Sequence, residues 1–179
     1  MKRVKELMTG VSEIPVVEEN ATLFEVVLEI GGARAKRPAG APYPALLVVD
    51  KDKRFAGFLE LGKMLLALDP GYGELAESAR EKGVPFDAIR SELQRFGPLE
   101  DALEDLCKKA ADISIKSVMS IPGPDRITGG EVSISEAAYR MAVSGVDYLF
   151  VLEGTLLEGI ISLSDVMGHI CETVRACRL

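Results

Sequence analysis

Few residues in this sequence carry chemistry at a meaningful spacing, and two of them stand close together near the C-terminus. In EGIISLSDVMGHI, Gly159, Ile160 and Ile161 lead into Ser162 and, three residues on, Asp165. A hydroxyl and a carboxylate so spaced can do two things. The serine can accept a backbone N–H at a helix start while the aspartate reaches back to it, which also puts negative charge at the positive end of the helix dipole. The same carboxylate, fixed beside the end of an apolar strand, can accept hydrogen bonds from the hydroxyl groups of a ligand. On the sequence both readings stand.

Other chemistry is thinly provided. The one histidine, His169, falls on an apparent helix and is not assigned between Ser162 and Asp165, so no nucleophile, base and orienting group come together. No GxxxxGK loop cradles phosphate, and HExxH and EF-hand patterns are absent, which leaves no usual metal-ligand set. Cys107, Cys171 and Cys177 form no CxxC pair, and their odd number closes no disulfide framework, so reduced thiols are expected. The expectation is a protein that is not an enzyme, holds no metal and requires no cofactor.

The chain has 179 residues, enough for one ordinary domain or two small units sharing a core, and its 47% apolar content calls for a packed interior. A net charge of -7 without any basic stripe argues against a general nucleic-acid binder, which needs Lys and Arg to displace phosphate counterions. Apolar runs such as Ala45 to Val49 are far too short to cross a bilayer, so no membrane partner is expected. The start MKRVKELMTG lacks the apolar core of a secretory signal, and the expected location is cytoplasmic. The acceptor pattern Asn20-Ala21-Thr22 means little without export.

The elements that must position Ser162 and Asp165 occur twice. VKELMT (Val4 to Thr9) matches IKSVMS (Ile115 to Ser120), and ATLFEVV (Ala21 to Val27) matches VSISEAA (Val132 to Ala138), both at a shift of 111 residues. Leu46 to Leu68 then parallels Leu149 to Ile170, where the shift between Gly57 and Gly159 is 102. Most of the lost register lies in GGARAKRPAGAPYP, residues 31–44, read as a loop insertion in the first repeat. Thr22 with Glu25 and Ser133 with Glu136 are capping boxes, so a helix should start at each, preceded by the short strands IPVV and DRIT. Ile134, Ala137, Ala138 and Met141 give the second of these helices an apolar face. Two β-rich runs joined by a polar turn follow in each repeat, and a last helix carries MLLAL or VMGHI. Each unit reads as strand, helix, strand, strand, helix. Between the units, Phe86 to Phe96 and Leu99 to Ala110 show helical apolar spacing broken by Gly97-Pro98, a connector expected to pack on its own repeats or on a second subunit.

This ordered set, occurring twice, resembles the CBS domain, which is found as tandem pairs called Bateman modules. The resemblance covers most of the chain apart from the connector and the insertion. It implies an α+β fold of two β-α-β-β-α repeats packed about a pseudo-twofold axis, with boundaries at 1–69, 70–112 (helical connector) and 113–179. It implies a regulatory module, free-standing and with an unidentified regulated protein as partner, that binds an adenosine-containing molecule such as AMP, ADP, ATP or S-adenosylmethionine between the repeats, and that forms a homodimer. A ligand-free module for dimerisation or partner docking is the alternative. In nucleotide-binding members the aspartate matching Asp165 holds the ribose diol, with the residue matching Ser162 on ribose or phosphate. Ile160 and Ile161 would then lie against adenine, Ile14 and Pro15 would face it, and Tyr43 and Pro44 would form the rim. Asp147 stands where several relatives carry a basic residue, which puts phosphate binding in doubt, although Arg34, Lys36 and Arg37 of the insertion could close over an anion as a lid. In the companion cleft the positions of Ser162 and Asp165 hold Glu60 and Lys63. The ribose acceptor is thus missing, and at most one conventional nucleoside site is expected.

Overall fold

The computed structural model describes residues 2–35, 45–68, 77, 79–83, 85 and 103–176. In chain order the elements are β1 (Thr9–Gly10), β2 (Val16–Glu18), α1 (Leu23–Ala35), β3 (Leu46–Val49), β4 (Phe55–Leu59), α2 (Leu61–Leu68), α3 (Leu103–Asp112), α4 (Ile115–Val118), β5 (Ile127–Thr128), α5 (Ile134–Ser144), β6 (Tyr148–Glu153), β7 (Leu156–Ser162) and α6 (Leu163–Ala176).

Local signals set most of these elements. At Thr22 the hydroxyl accepts the Glu25 N–H at 3.3 Å, the Glu25 carboxylate takes the Thr22 N–H at 2.7 Å, and α1 follows. Those bonds, backbone first and then hydroxyl, hold the Glu25 carboxyl below its ordinary value. At Ser133 only the forward half of the box forms: the Glu136 N–H reaches Ser133 Oγ at 3.2 Å, while the Glu136 carboxylate turns to Arg140 at 3.5 Å. The insertion is corrected at its start. Helix α1 runs through Ala35, so residues 31–35 lengthen a helix rather than open a loop. Ala33, Arg34 and Ala35 favour helix strongly enough to carry it past Gly31 and Gly32.

Two sheets result. The first has the order β2-β3-β4, with β2 parallel and β4 antiparallel to β3; the second has the order β1-β7-β6-β5. The extra strand of the second sheet comes from the other repeat. Thr9 and Gly10 pair with Ile160 and Gly159 of β7, and the exchange is reciprocal, because Ser120 bridges Phe58 at the edge of β4 with both backbone bonds at 2.8 Å. The flanking residues go the same way. Val4 N–H donates to the Val132 carbonyl and Ile115 N–H to the Ala21 carbonyl, at 2.9 and 3.0 Å. Glycine is required at both crossings, since a Cβ on Gly159 would lie 2.3 Å from the Thr9 carbonyl oxygen and one on Gly57 would lie 2.5 Å from that of Ser120.

The apolar residues divide into three clusters. Val17, Leu46, Val48 and Leu59 of the first sheet pack under Leu23, Val26, Met64, Ala110 and Ile115 of the helices. On the second sheet Leu149, Val151 and Ile161 pack under Ile134, Ala137, Met141 and Val166, joined by Val4 from the chain start. Between the sheets lies a seam of Ile14, Ala45, Leu47, Phe58, Tyr148, Phe150 and Ile160. Its aromatic rings interlock, with centroids 4.9 Å apart for Phe58 and Phe150 and 5.4 Å for Phe55 and Phe150. Within the connector, α3 lies against α1 and α2 and buries Ala110, so this part packs within the chain. Phe86 to Phe96 lies outside the described residues. Among the described residues no helix is long and apolar enough to cross a membrane.

Candidate functional site

Strand alternation decides which side chains meet in the seam. Opposed residues of an antiparallel pair share a face, so Tyr148 with Ser162 and Phe150 with Ile160 point into the seam, while Leu149 and Ile161 point under the helices. The side chain of Ile161 is therefore a correction to the sequence reading: it belongs to the helix-side core, and of the two isoleucines only Ile160 presents its side chain to the seam. Ile14 joins the same cluster at 5% exposure. Pro15 is half-buried, and its carbonyl accepts the Leu47 N–H at 3.0 Å.

At the end of β7 the serine and aspartate form a full capping box. Ser162 N–H and Ser162 Oγ both donate to Asp165 Oδ2, at 2.8 and 2.6 Å, and the Asp165 N–H donates to Ser162 Oγ at 3.2 Å. Both bonds use one carboxylate oxygen. Among the described residues no hydrogen bond goes to Oδ1, so the group that starts α6 retains acceptor capacity. Asp147 is exposed and sits beside this helix start, its carbonyl accepting the Leu163 N–H at 2.7 Å. Tyr43, Pro44, Lys36 and Arg37 lie outside the described residues, and Arg34 is described only as part of α1.

The two ends of the seam differ in what fills them. The repeat register matches Pro15 with Arg126, Ala45 with Tyr148, Ser162 with Glu60 and Asp165 with Lys63. Near Asp165 the chain thus carries small residues, and at the companion end large ones, which form a network. Arg126 Nη1 donates to Glu60 Oε1 and to Tyr148 Oη, each at 3.0 Å, and Tyr148 Oη donates to the same Glu60 oxygen at 2.8 Å. The guanidinium carbon lies 5.4 Å from the Phe58 ring centroid and 5.2 Å from that of Tyr148. Burial, followed by the Glu60 carboxylate, pushes the Tyr148 phenol well above its ordinary value. Lys63 Nζ donates to Ser120 Oγ at 2.5 Å. Sequence reasoning marked Glu60 and Lys63 as departures but missed Arg126 and Tyr148; aligning the repeats residue by residue would have put an arginine opposite a proline.

A concavity of about 520 Å³ lies where the turns of the two hairpins approach, and its lining includes Val11, Phe55 and Leu157 together with Lys53 and Arg54. Among the described residues no group of three or more His, Cys, Asp or Glu is placed to hold a metal ion.

Residues 111–172 match the family model of the CBS domain. Among curated proteins nothing matches. Among solved structures, a CBS domain-containing protein from Kribbella flavida has 18% identity and a TM-score of 0.63, covering 96% of this chain and 99% of that one. CBSX2, solved in complex with AMP, has 17% identity and a TM-score of 0.60 over 97% and 98% of the two chains. The CBS domain of a bacterial CNNM/CorC family Mg2+ transporter, solved in complex with ATP, has 15% identity and a TM-score of 0.59 over 95% and 87%. At such identities the likeness speaks for the fold. Residues 111–172 thus carry the sequence pattern of the CBS domain, and the chain takes the fold of solved CBS-domain structures over nearly its whole length, consistent with a CBS-pair protein.

Proposed function

We propose that this chain is a regulatory module that takes an adenosine-containing small molecule, AMP, ADP, ATP or S-adenosylmethionine, at the Asp165 end of the seam. The observation that carries the reading is the Asp165 carboxylate, which caps α6 through Oδ2 and has Oδ1 left to accept from a ribose hydroxyl. Ile160 and Ile14 supply the apolar surface for a purine, with Pro15 and Ala45 standing where the companion end carries Arg126 and Tyr148. The ligand acts by shifting the arrangement of the two units or of two subunits, by no more than its differential affinity for the two arrangements. That two structures of this fold were solved with AMP and with ATP supports the choice of ligand class.

Isothermal titration with AMP, ATP and S-adenosylmethionine tests the reading. Binding of at least one is expected, and Asp165→Asn, which retains an oxygen to cap the helix, should weaken it about ten- to hundredfold through loss of a charge-assisted hydrogen bond of about 1.5–3 kcal/mol. No heat and no thermal shift with all three would remove it.

A second observation supports association with another copy of the chain. The outer helices leave apolar side chains exposed on both units: Val27, Leu28, Leu61 and Leu65 on one, Tyr139, Val143, Met167 and Val174 on the other. A homodimer that covers these faces is expected in light scattering without added ligand; a strict monomer at micromolar concentration counts against it.

A further inference from the structure

The companion end of the seam has a chemistry of its own. It offers one carboxylate, Glu60, a phenol hydroxyl on Tyr148 and the rings of Phe58 and Tyr148 standing edge to face at 84° with centroids 6.2 Å apart. A carboxylate beside aromatic faces recognises a flat cation, by hydrogen bonds in its plane and by attraction to the ring quadrupoles above it. The chain supplies such a group itself. The Arg126 guanidinium is within 5.4 Å of both ring centroids and bonds both oxygens, although its side chain and that of Glu60 keep only about a quarter of their surface, 26% and 28%. The three residues come from both units: Glu60 follows β4 of the first sheet, whereas Arg126 and Tyr148 precede and begin strands of the second. The matching residues at the other end, Pro15, Ser162 and Ala45, provide neither the plug nor its carboxylate.

We propose that the companion cleft is a guanidinium-binding site filled in cis by Arg126, so that this end of the seam is closed by the chain's own side chain. The carboxylate that receives the guanidinium repels a phosphorylated guest, and the arginine covers the rings on which a purine would stack. This reading stands on the companion cleft alone and needs no nucleotide at the Asp165 end.

The test is chemical rescue without nucleotide. Arg126→Ala should lower the Tm by about 3–9 °C, and millimolar ethylguanidinium should restore much of the loss in the variant while leaving the wild-type Tm unchanged. Adding Glu60→Gln to Arg126→Ala should abolish the restoration. Arg126→Lys keeps the charge but not the plane, and should still melt below wild type. A wild-type Tm for Arg126→Lys would mean that a simple ion pair suffices and would overturn the proposal, as would an Arg126→Ala protein that ethylguanidinium does not stabilise. If Arg126→Ala cannot be obtained folded, the comparison of Arg126→Lys with wild type decides alone.

Discussion

Thr128 is 4% exposed, and its hydroxyl has no hydrogen-bond partner among the described residues. A buried hydroxyl without a partner has lost its water and gained nothing in return. The matching position in the first repeat is Val17, which lies in the apolar core at 7% exposure. Thr128→Val is therefore expected to raise the stability by about 1 kcal/mol in urea unfolding; an unchanged or lower midpoint would mean that the hydroxyl is satisfied in solution. The contrast with Ser162 is instructive about what single residues disclose. Ser162 and Asp165 lie three apart, so their contact is local and was readable from the sequence. Arg126, Glu60 and Tyr148 meet only because two sheets face each other, with Glu60 and Tyr148 separated by 88 positions, and no spacing rule links them.

At the scale of elements, the two glycines at matching positions of the hairpins explain how the repeats are joined. In each sheet a glycine on the second hairpin strand lets the backbone of the other repeat come close, so the strand before one unit becomes the edge of its neighbour. A methyl group at either point would press on a backbone carbonyl, which cannot swing away as a side chain can. Gly159→Ala and Gly57→Ala are each expected to cost about 1–3 kcal/mol. Gly168→Ala, at an exposed position of α6 with nothing within 4 Å of the new Cβ, should instead stabilise by about 0.5–1 kcal/mol. Equal midpoints for all three variants in chemical denaturation would remove the close-approach account. The segment repeat VKELMT and IKSVMS was visible in the sequence, as were the capped helices and the hairpins, because each has its own period or cap. The exchange was not: a two-residue strand has no alternation to detect, and its partner lies some 150 residues away in the case of Thr9 and Ile160.

For the whole molecule, the exchange means that the two units of the fold do not coincide with the two halves of the sequence. Val4, fully buried, belongs to the core of the second unit, and Ile115, equally buried, belongs to the core of the first. A fragment of residues 111–179 would keep the family's sequence pattern yet lose the β1 edge of its sheet and the Val4 contribution to its core. It would also expose Tyr148, Phe150 and Ile160, which the seam now covers to 5% exposure or less. Each large apolar side chain so exposed forfeits about 1.5–3 kcal/mol, and three of them reach the lower part of the roughly 5–15 kcal/mol that holds an ordinary domain together. The fragment is expected to unfold without a cooperative transition in urea and to bind a hydrophobic dye, whereas the full chain melts as one unit. Mixing the fragment with a chain of residues 1–110 should restore a cooperative transition, since each piece carries the strand that the other lacks. A fragment that unfolds cooperatively by itself would show that the second core closes without Val4, and the exchanged strands would then be an accessory of the fold rather than its cause.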